Sequence, residues 1–143
     1  MLKGSCACGE VTYEIRGEFV GPIGHCHCWQ CRKHSGASFG TTVGIQAKDL
    51  VFVAGSDRLS NWESSPGTYR FFAGCCGSPI YKRYDEMPQL YGFRLGTLDT
   101  DPGRSVEKHI WVGSKVPWVE LRDGLPQETQ GCEFGELEDR PSA

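Results

Sequence analysis

Seven of the eight cysteines in this 143-residue chain fall into three short clusters. The clusters are Cys6-x-Cys8, Cys26-x-Cys28-x-x-Cys31 and the adjacent pair Cys75 and Cys76. Cysteines this close cannot form local disulfides without strain, although members of different clusters could bridge to one another. The first residues, MLKGSCACGE, hold no apolar segment typical of a secretion signal. We therefore favour reduced cysteines that bind metal, in a cytoplasmic protein, over a disulfide framework.

Length, composition and charge limit the class of protein. A chain of this length is sufficient for one domain with a sizeable core, and 38% hydrophobic residues fit a globular protein. No apolar run approaches the about 20 residues that a membrane helix needs, so we expect no membrane partner. The formal net charge of −3 includes no clustered basic excess, and this argues against nucleic-acid binding.

Short β-rich runs recur along the chain and are separated by Gly, Pro, Asp and Ser. The first, EVTYEIRG, alternates apolar and polar residues over 11–16, which is the period of a half-buried strand. Similar runs begin near residues 38, 49, 59, 68, 79, 89, 106 and 118. No helical stripe exceeds about two turns, and at most one turn is expected after Cys31. The sequence predicts an all-β domain of short antiparallel strands with Gly-rich turns, over residues 1–126.

Residues 127–143 form a predicted acidic C-terminal tail. Arg140 opposes five acidic residues there, namely Glu128, Glu133, Glu136, Glu138 and Asp139. We expect this tail to trail the domain or to pack on it through Phe134 and Leu137. Cys132 belongs to no cluster, and we interpret it as an incidental thiol.

Zinc geometry groups the cysteine clusters into two predicted sites. Zinc prefers tetrahedral thiolates at about 2.3 Å, which places ligand sulfurs about 3.8 Å apart. Cys6 and Cys8 can share one metal with the turn at Cys75 and Cys76, and that metal would tie the first predicted strand to a hairpin. The other site uses the triplet, which we define as Cys26, Cys28 and Cys31, in a predicted loop flanked by glycines. We expect two zinc ions per chain.

The motifs around these cysteines resemble those of the glutathione-dependent formaldehyde-activating enzyme family, which includes centromere protein V. The matching stretches are GSCACGEVTYE, HCHCWQCRKHSGASFG, RFFAGCCGSPIY, GTLD and HIWVGSKVPWVEL followed, after Arg122, by DGLP, and they span residues 4 to about 126. The resemblance implies a zinc-bearing β-tent fold. It also implies a structural zinc at the first cysteine pair and the hairpin, and a catalytic zinc at the triplet.

One position departs from the family pattern. The pattern FCxxCG places its first cysteine at residue 73, where this chain has Ala73, and its second at Cys76. Cys75 is the obvious substitute, but adjacent cysteines must twist their backbone to direct both sulfurs toward one metal. The two alternatives are a site of four cysteines that includes both Cys75 and Cys76, which we favour, and a three-cysteine site completed by another group.

Three thiolates around Zn²⁺ give a centre of net charge −1, which activates water poorly. An open fourth position there suits the thiolate of a small substrate, because zinc removes the proton of an incoming thiol. Together with the resemblance, this predicts a carbon–sulfur lyase that adds glutathione, or a similar thiol, reversibly to formaldehyde or a related aldehyde. The alternatives are a glutathione or thiol-adduct carrier without catalysis, and a structural zinc domain for protein contacts.

Two histidines near the triplet are candidates for proton transfer or for the fourth metal position. These are His27 and His34. His25 is a weaker candidate. His109 alternates with Ile110 in a predicted strand, and we expect its ring to be hydrogen-bonded there.

Basic residues near the triplet are candidates for binding the carboxylates of glutathione. Arg32 and Lys33 follow Cys31 directly and are the first choice, and Arg94 and Arg104 are further candidates. Trp29, inside the triplet, either lines the pocket or covers the loop.

Overall fold

The computed structural model describes residues 1–131, and within them most of the regular secondary structure is β-strand, with one α-helix and four short 3-10 helices. Short runs of alternating residues favour strands here, and frequent glycines favour tight turns between them. The elements in chain order are β1 (Leu2–Ser5), β2 (Thr12–Ile15), β3 (Val20–Cys26), α1 (Trp29–Ser35), β4 (Gly40–Gln46), β5 (Leu50–Ala54), β6 (Leu59–Ser65), β7 (Thr68–Ala73), β8 (Pro79–Tyr84), β9 (Leu90–Arg94) and β10 (Lys108–Ile110).

The strands form two sheets. The smaller sheet has the order β1-β2-β5 and is antiparallel, and the larger one has the order β10-β3-β4-β9-β8-β7-β6. Every pairing in the larger sheet is antiparallel except that of β10 with β3. The prediction of an all-β fold with antiparallel strands is confirmed.

The main apolar core lies on one face of the larger sheet. Its side chains alternate along the strands with residues of the other face, as the period of two requires. Tyr13 and Ile15 of the smaller sheet pack there against Val43, Tyr81 and Phe93 of the larger one. The opposite face of the larger sheet is therefore left to residues of the alternate set, among which the polar side chains described below lie.

Several local predictions are wrong. β1 and β3 were not expected, because the glycines and the proline of VGPIGHC and the shortness of LKGS hide the strand pattern. Residues 118–121 form no strand. Cys6 and Cys8 consequently lie in the turn between β1 and β2 rather than before the first strand. None of the helices in residues 1–131 is long and apolar enough to cross a membrane.

The start of the predicted tail is attached to the domain. Glu128 donates its backbone N–H to the carbonyl of His109 at 2.9 Å, and its carboxylate pairs with Lys108 at 3.3 Å. These contacts place residues 127 and 128 along β10. Cys132, Phe134, Leu137 and the remaining acidic residues lie outside the described residues.

Candidate metal centres and active site

Four cysteine sulfurs converge where the β1–β2 turn meets the β7–β8 hairpin. The sulfurs of Cys6, Cys8, Cys75 and Cys76 all lie within 4.8 Å of one another. Cys6 is 3.6 Å from Cys8 and 3.9 Å from Cys75, and Cys8 is 3.3 Å from Cys75. These separations are close to the about 3.8 Å expected between the sulfurs of a tetrahedral thiolate site. The group could hold a metal ion.

The surroundings of this sulfur group indicate whether Cys75 can replace the cysteine that the family pattern places at residue 73. Ala73 is fully buried in a small apolar cluster with Cys6 and Val11, whereas Cys75 and Cys76 both reach the sulfur group. A tight turn makes this possible, because Gly77 adopts a left-handed φ of 85° and donates its N–H to the carbonyl of Ala73. The geometry therefore favours the alternative in which Cys75 replaces the missing cysteine.

Thiol ionisation within the group is uneven. Hydrogen bonds from the Ser78 side chain and backbone lower the pKa of Cys76 to about 6. The pKa of Cys75 is raised to about 12, first by its contact with Cys8 and then by burial. Packed thiols cannot all ionise, because their negative charges repel one another. A bound divalent cation would remove this conflict, so the donor set fits such an ion.

The triplet forms where β3 meets α1. β3 ends at Cys26, Cys28 caps the helix by accepting a hydrogen bond from the Cys31 N–H at 3.3 Å, and Gly36 ends the helix with a φ of 72°. An N-cap residue and the third helical residue lie on the same side of the first turn. The three sulfurs consequently lie within 4.8 Å of one another, all buried, and this second group could also hold a metal ion. The expected loop is thus a two-turn helix that contains Cys31.

Three buried cations lie on the face of the larger sheet opposite the apolar core. They are Arg70 on β7, Lys82 on β8 and Arg94 on β9. Strand register aligns the first two, because Arg70 pairs with Lys82. Buried cations are rare without partners, since burial strongly favours the neutral form. No carboxylate is among the buried side chains of residues 1–131, so these cations need other anions.

Cys31 supplies that negative charge. Arg94 donates from Nη2 to the Cys31 sulfur at 3.1 Å, and Arg70 approaches the same sulfur with Nη1 at 3.7 Å. Arg70 also donates to Ser64 and to Gln30 of α1, which fixes the helix on the sheet. Charge-assisted hydrogen bonds of this kind stabilise the ionised form of the acceptor. They anchor the thiolate between two guanidinium groups.

The pKa values agree with this arrangement. Hydrogen bonds with Cys26 and Cys28 hold the pKa of Cys31 well below its ordinary value, against the effect of burial, and the charges of Arg94 and Lys82 lower it further. Burial acts against the charge of Lys82, but Tyr84 and Cys31 raise its pKa, so that this side chain is charged at neutral pH. The triplet is therefore an anionic group surrounded by fixed positive charge.

The two candidate histidines have different surroundings. His34, on α1, is half-buried, and its ring stacks on Trp62 with centroids 6.3 Å apart. Burial, followed by the charges of Arg70 and Arg94, lowers the pKa of His34 to about 4. His34 is thus neutral at neutral pH and lies close enough to the cations to feel their charge.

The ring of His27 belongs to a separate network. His27 is fully buried, and its Nε2 lies 2.9 Å from Nδ1 of His109, whose Nε2 donates to the Asp123 carboxylate at 2.7 Å. Burial, together with the charge of His109, lowers the pKa of His27 to about 4. The prediction of a hydrogen-bonded His109 in a strand is confirmed. No histidine nitrogen of the described residues joins the triplet at the spacing of its sulfurs.

Other predicted site residues have these positions. His25 bonds to Thr41 at 3.0 Å. Arg32 donates to the backbone carbonyl of His27 at 3.3 Å, and Lys33 is exposed. Arg104 is engaged with the Glu107 carboxylate and the Gly21 carbonyl rather than with the triplet. These side chains differ from Arg94, which contacts Cys31 directly.

A cavity of about 320 Å³ is lined by Ser78, which contacts Cys76, and by Arg94, which contacts Cys31. Ser78 and Pro79, which follow Cys76, form one side. Gly40 and Arg94, which adjoin Cys31, form another. The cavity thus brings polar side chains from both cysteine sites to one opening.

Comparison with known proteins defines the family. The profile of the family described as "Glutathione-dependent formaldehyde-activating enzyme" matches residues 1–114. The chain belongs to this family. The resemblance seen in the cysteine motifs is thereby confirmed. Residues 1–114 include both cysteine groups and the three buried cations.

Two individual relatives agree with this assignment. A Halomonas elongata protein, provisionally named glutathione-dependent formaldehyde-activating enzyme, is 29% identical over 129 residues, which cover 85% of this chain and 81% of that protein. The crystal structure of a Rhodobacter sphaeroides protein matches with a TM-score of 0.56 and 21% identity, over 89% of this chain and 99% of the other. The second match supports the fold alone.

Sequence reasoning missed two buried cations near the triplet, Arg70 and Lys82. Each is a single basic residue in the middle of a β-rich run, TYRFF and PIYKRY. Such residues usually face solvent. Strand alternation could have found them. The two strands of one hairpin, β7 and β8, each place a cation on the same face of the sheet, next to β9, which carries Arg94.

Proposed function

We propose that this chain is a carbon–sulfur lyase that catalyses the reversible addition of glutathione, or a similar small thiol, to formaldehyde or a related aldehyde. The observation that supports this proposal is the triplet of buried thiols held among three buried cations beside a cavity. We further propose a cytoplasmic reaction, because the cysteines must stay reduced.

Zinc is the metal we propose for both sulfur groups. The four-sulfur group would hold a structural ion through Cys6, Cys8, Cys75 and Cys76. Cys26, Cys28 and Cys31 would hold the second, since thiolates are preferred zinc ligands. At the triplet, zinc would supply a position where a small thiol ligates without its proton.

The surrounding side chains have distinct proposed roles. Arg70 and Arg94 hold Cys31 in place and offset its negative charge, which favours the approach of an anionic thiol. His34, neutral at neutral pH, can accept the proton of the entering thiol or return one to the oxygen of the adduct. His27 is the weaker candidate for this transfer, because its Nε2 is engaged with His109. Arg32 and Lys33 are proposed to meet the carboxylates of glutathione.

The test of the function is equilibrium exchange between formaldehyde and S-hydroxymethylglutathione. Protein purified without chelator is expected to carry about two zinc ions per chain and to accelerate exchange above the rate in buffer. Exchange spectroscopy measures both directions at once, so the fast uncatalysed addition can be subtracted. Glutathione binding without faster exchange would favour a carrier. The absence of both would favour a domain for protein contacts.

We expect His34→Ala to slow this exchange about tenfold or more while changing glutathione affinity by less. The physical reason is that a positioned acid or base acts on the transition state more than on the bound substrate. The matched control is His25→Ala, which removes an imidazole that bonds to Thr41. Equal exchange rates for the His34→Ala and His25→Ala variants would exclude His34 from proton transfer.

A further inference from the structure

Arg94 differs from the other buried guanidinium group in its bonding. Each nitrogen of Arg70 has a partner, because Nε donates to Ser64, Nη1 to Cys31 and Nη2 to Gln30. Arg94 donates from Nη2 to Cys31, but its Nη1 is buried and has no hydrogen-bond partner among the described residues. Only 8% of Arg94 is exposed. A buried charged donor without a partner is costly, and such a group in a native structure requires an explanation, of which a catalytic role is one.

Gly40 makes room for this nitrogen. A Cβ on Gly40 would lie 2.5 Å from Nη1 of Arg94, too close for any side chain unless the guanidinium moved. Gly40 is the first residue of β4, and it lines the same cavity as Arg94. The missing side chain therefore lets the guanidinium lie between Cys31 and the cavity wall. A single side chain thus touches the triplet with one nitrogen, while its other terminal nitrogen has no hydrogen-bond partner among the described residues.

Distance limits which atom of a thiol substrate Arg94 can bind. The two terminal nitrogens of a guanidinium share one carbon, so an oxygen bound to Nη1 lies close to the Cys31 sulfur that Nη2 contacts. The carboxylates of glutathione are many bonds away from its sulfur. The aldehyde oxygen of the adduct is carried by the very carbon that bonds to sulfur. The geometry favours that oxygen over a distant carboxylate.

We infer that Arg94 is a catalytic residue whose Nη1 donates a hydrogen bond to the aldehyde oxygen; this rests on the proposed function. In the step, the thiolate sulfur forms a bond to the aldehyde carbon while the carbon–oxygen π bond breaks. The oxygen takes that electron pair and becomes an oxyanion, which Arg94 stabilises. The oxyanion then accepts a proton equivalent to the one that the thiol lost. The reverse reaction breaks the carbon–sulfur bond by the same contacts.

The experiment measures binding of two small thiols to the zinc-loaded protein by calorimetry. Mercaptoacetate carries an anionic oxygen near its sulfur, and ethanethiol carries none. We expect the wild-type protein to prefer mercaptoacetate by about tenfold or more, the effect of a charge-assisted hydrogen bond. In Arg94→Met the affinity for both thiols falls, because Arg94 no longer offsets the charge of the triplet, but mercaptoacetate loses about tenfold more, so that the preference falls to about one. Zinc content of each variant is measured beforehand.

Two variants keep the positive charge and test the geometry. Arg94→Lys lacks the second terminal nitrogen, and Gly40→Ala displaces Nη1, so both are expected to lose most of the preference. If both retained it, net charge alone would explain the preference and the inference would be wrong. The inference would also be wrong if Arg94→Met weakened the binding of glutathione as much as the binding of mercaptoacetate, because Arg94 would then bind a carboxylate of glutathione. If no thiol bound the wild-type protein, the proposed function would fail as well.

Discussion

Cys76→Ser is expected to leave the domain largely unfolded at room temperature. The four-sulfur group joins the β1–β2 turn to the β7–β8 hairpin, so a metal bound there contributes directly to folding. Structural zinc in small domains binds with about 10–16 kcal/mol, whereas a whole domain is stable by only about 5–15 kcal/mol. Losing one ligand therefore removes a large share of the stability. Circular dichroism and thermal melts measure the effect.

Two controls make this prediction specific. Cys132→Ser is the same chemical change at the cysteine outside both clusters, and it should leave the melt unchanged. Cys26→Ser should lose the second metal and the exchange activity but stay folded. A Cys26→Ser protein that melts as low as Cys76→Ser would show that the triplet is structural as well.

Whether Cys75 supplies the fourth sulfur of this group can be tested by placing a cysteine at residue 73 instead. Cys75→Ser should destabilise the domain like Cys76→Ser, and adding Ala73→Cys should restore part of the loss. Ala73 is suited to this, since it is buried beside Cys6. Full stability of Cys75→Ser alone would mean that another group completes the site.

The cysteine sites were predictable from sequence because their spacing is local. A Cys-x-Cys pair or a Cys-x-x-Cys turn brings sulfurs together whatever the rest of the fold does. Predicting that the turn at Cys6 meets the hairpin at Cys75 required one further assumption, namely that the two cysteine pairs share a metal ion. The grouping of these four sulfurs is what the structure shows.

The buried cations were not predictable in the same way. Alternation along TYRFF and PIYKRY indicates which residues share a face, but it cannot say which face is covered. That is decided by α1, which docks on this face through Gln30 and Cys31. β3 was hidden for a related reason, since its pairing with β4 and β10 outweighs the poor strand propensity of glycine and proline.

We expect Cys31→Ser to lower the free energy of unfolding by about 3–5 kcal/mol more than Cys26→Ser. Both substitutions break the triplet and should abolish the second metal site and the exchange activity. Of these two cysteines, it is Cys31 that accepts hydrogen bonds from Arg70 and Arg94. A serine there stays neutral and leaves two buried guanidinium groups without their anion, and breaking a buried ion pair on one side costs this much.

Urea denaturation of the two variants, each checked for zinc content, measures the difference. Neither variant should hold the second ion, so metal binding at the triplet is expected to cancel in the comparison. Arg94→Met in the Cys31→Ser background supplies a further test. Removing the unpaired cation should recover part of the lost stability, because an apolar side chain is less costly there than an uncompensated charge. If Cys31→Ser and Cys26→Ser unfolded at the same urea concentration, the cations would not depend on Cys31, and the charge arrangement described for the triplet would be wrong.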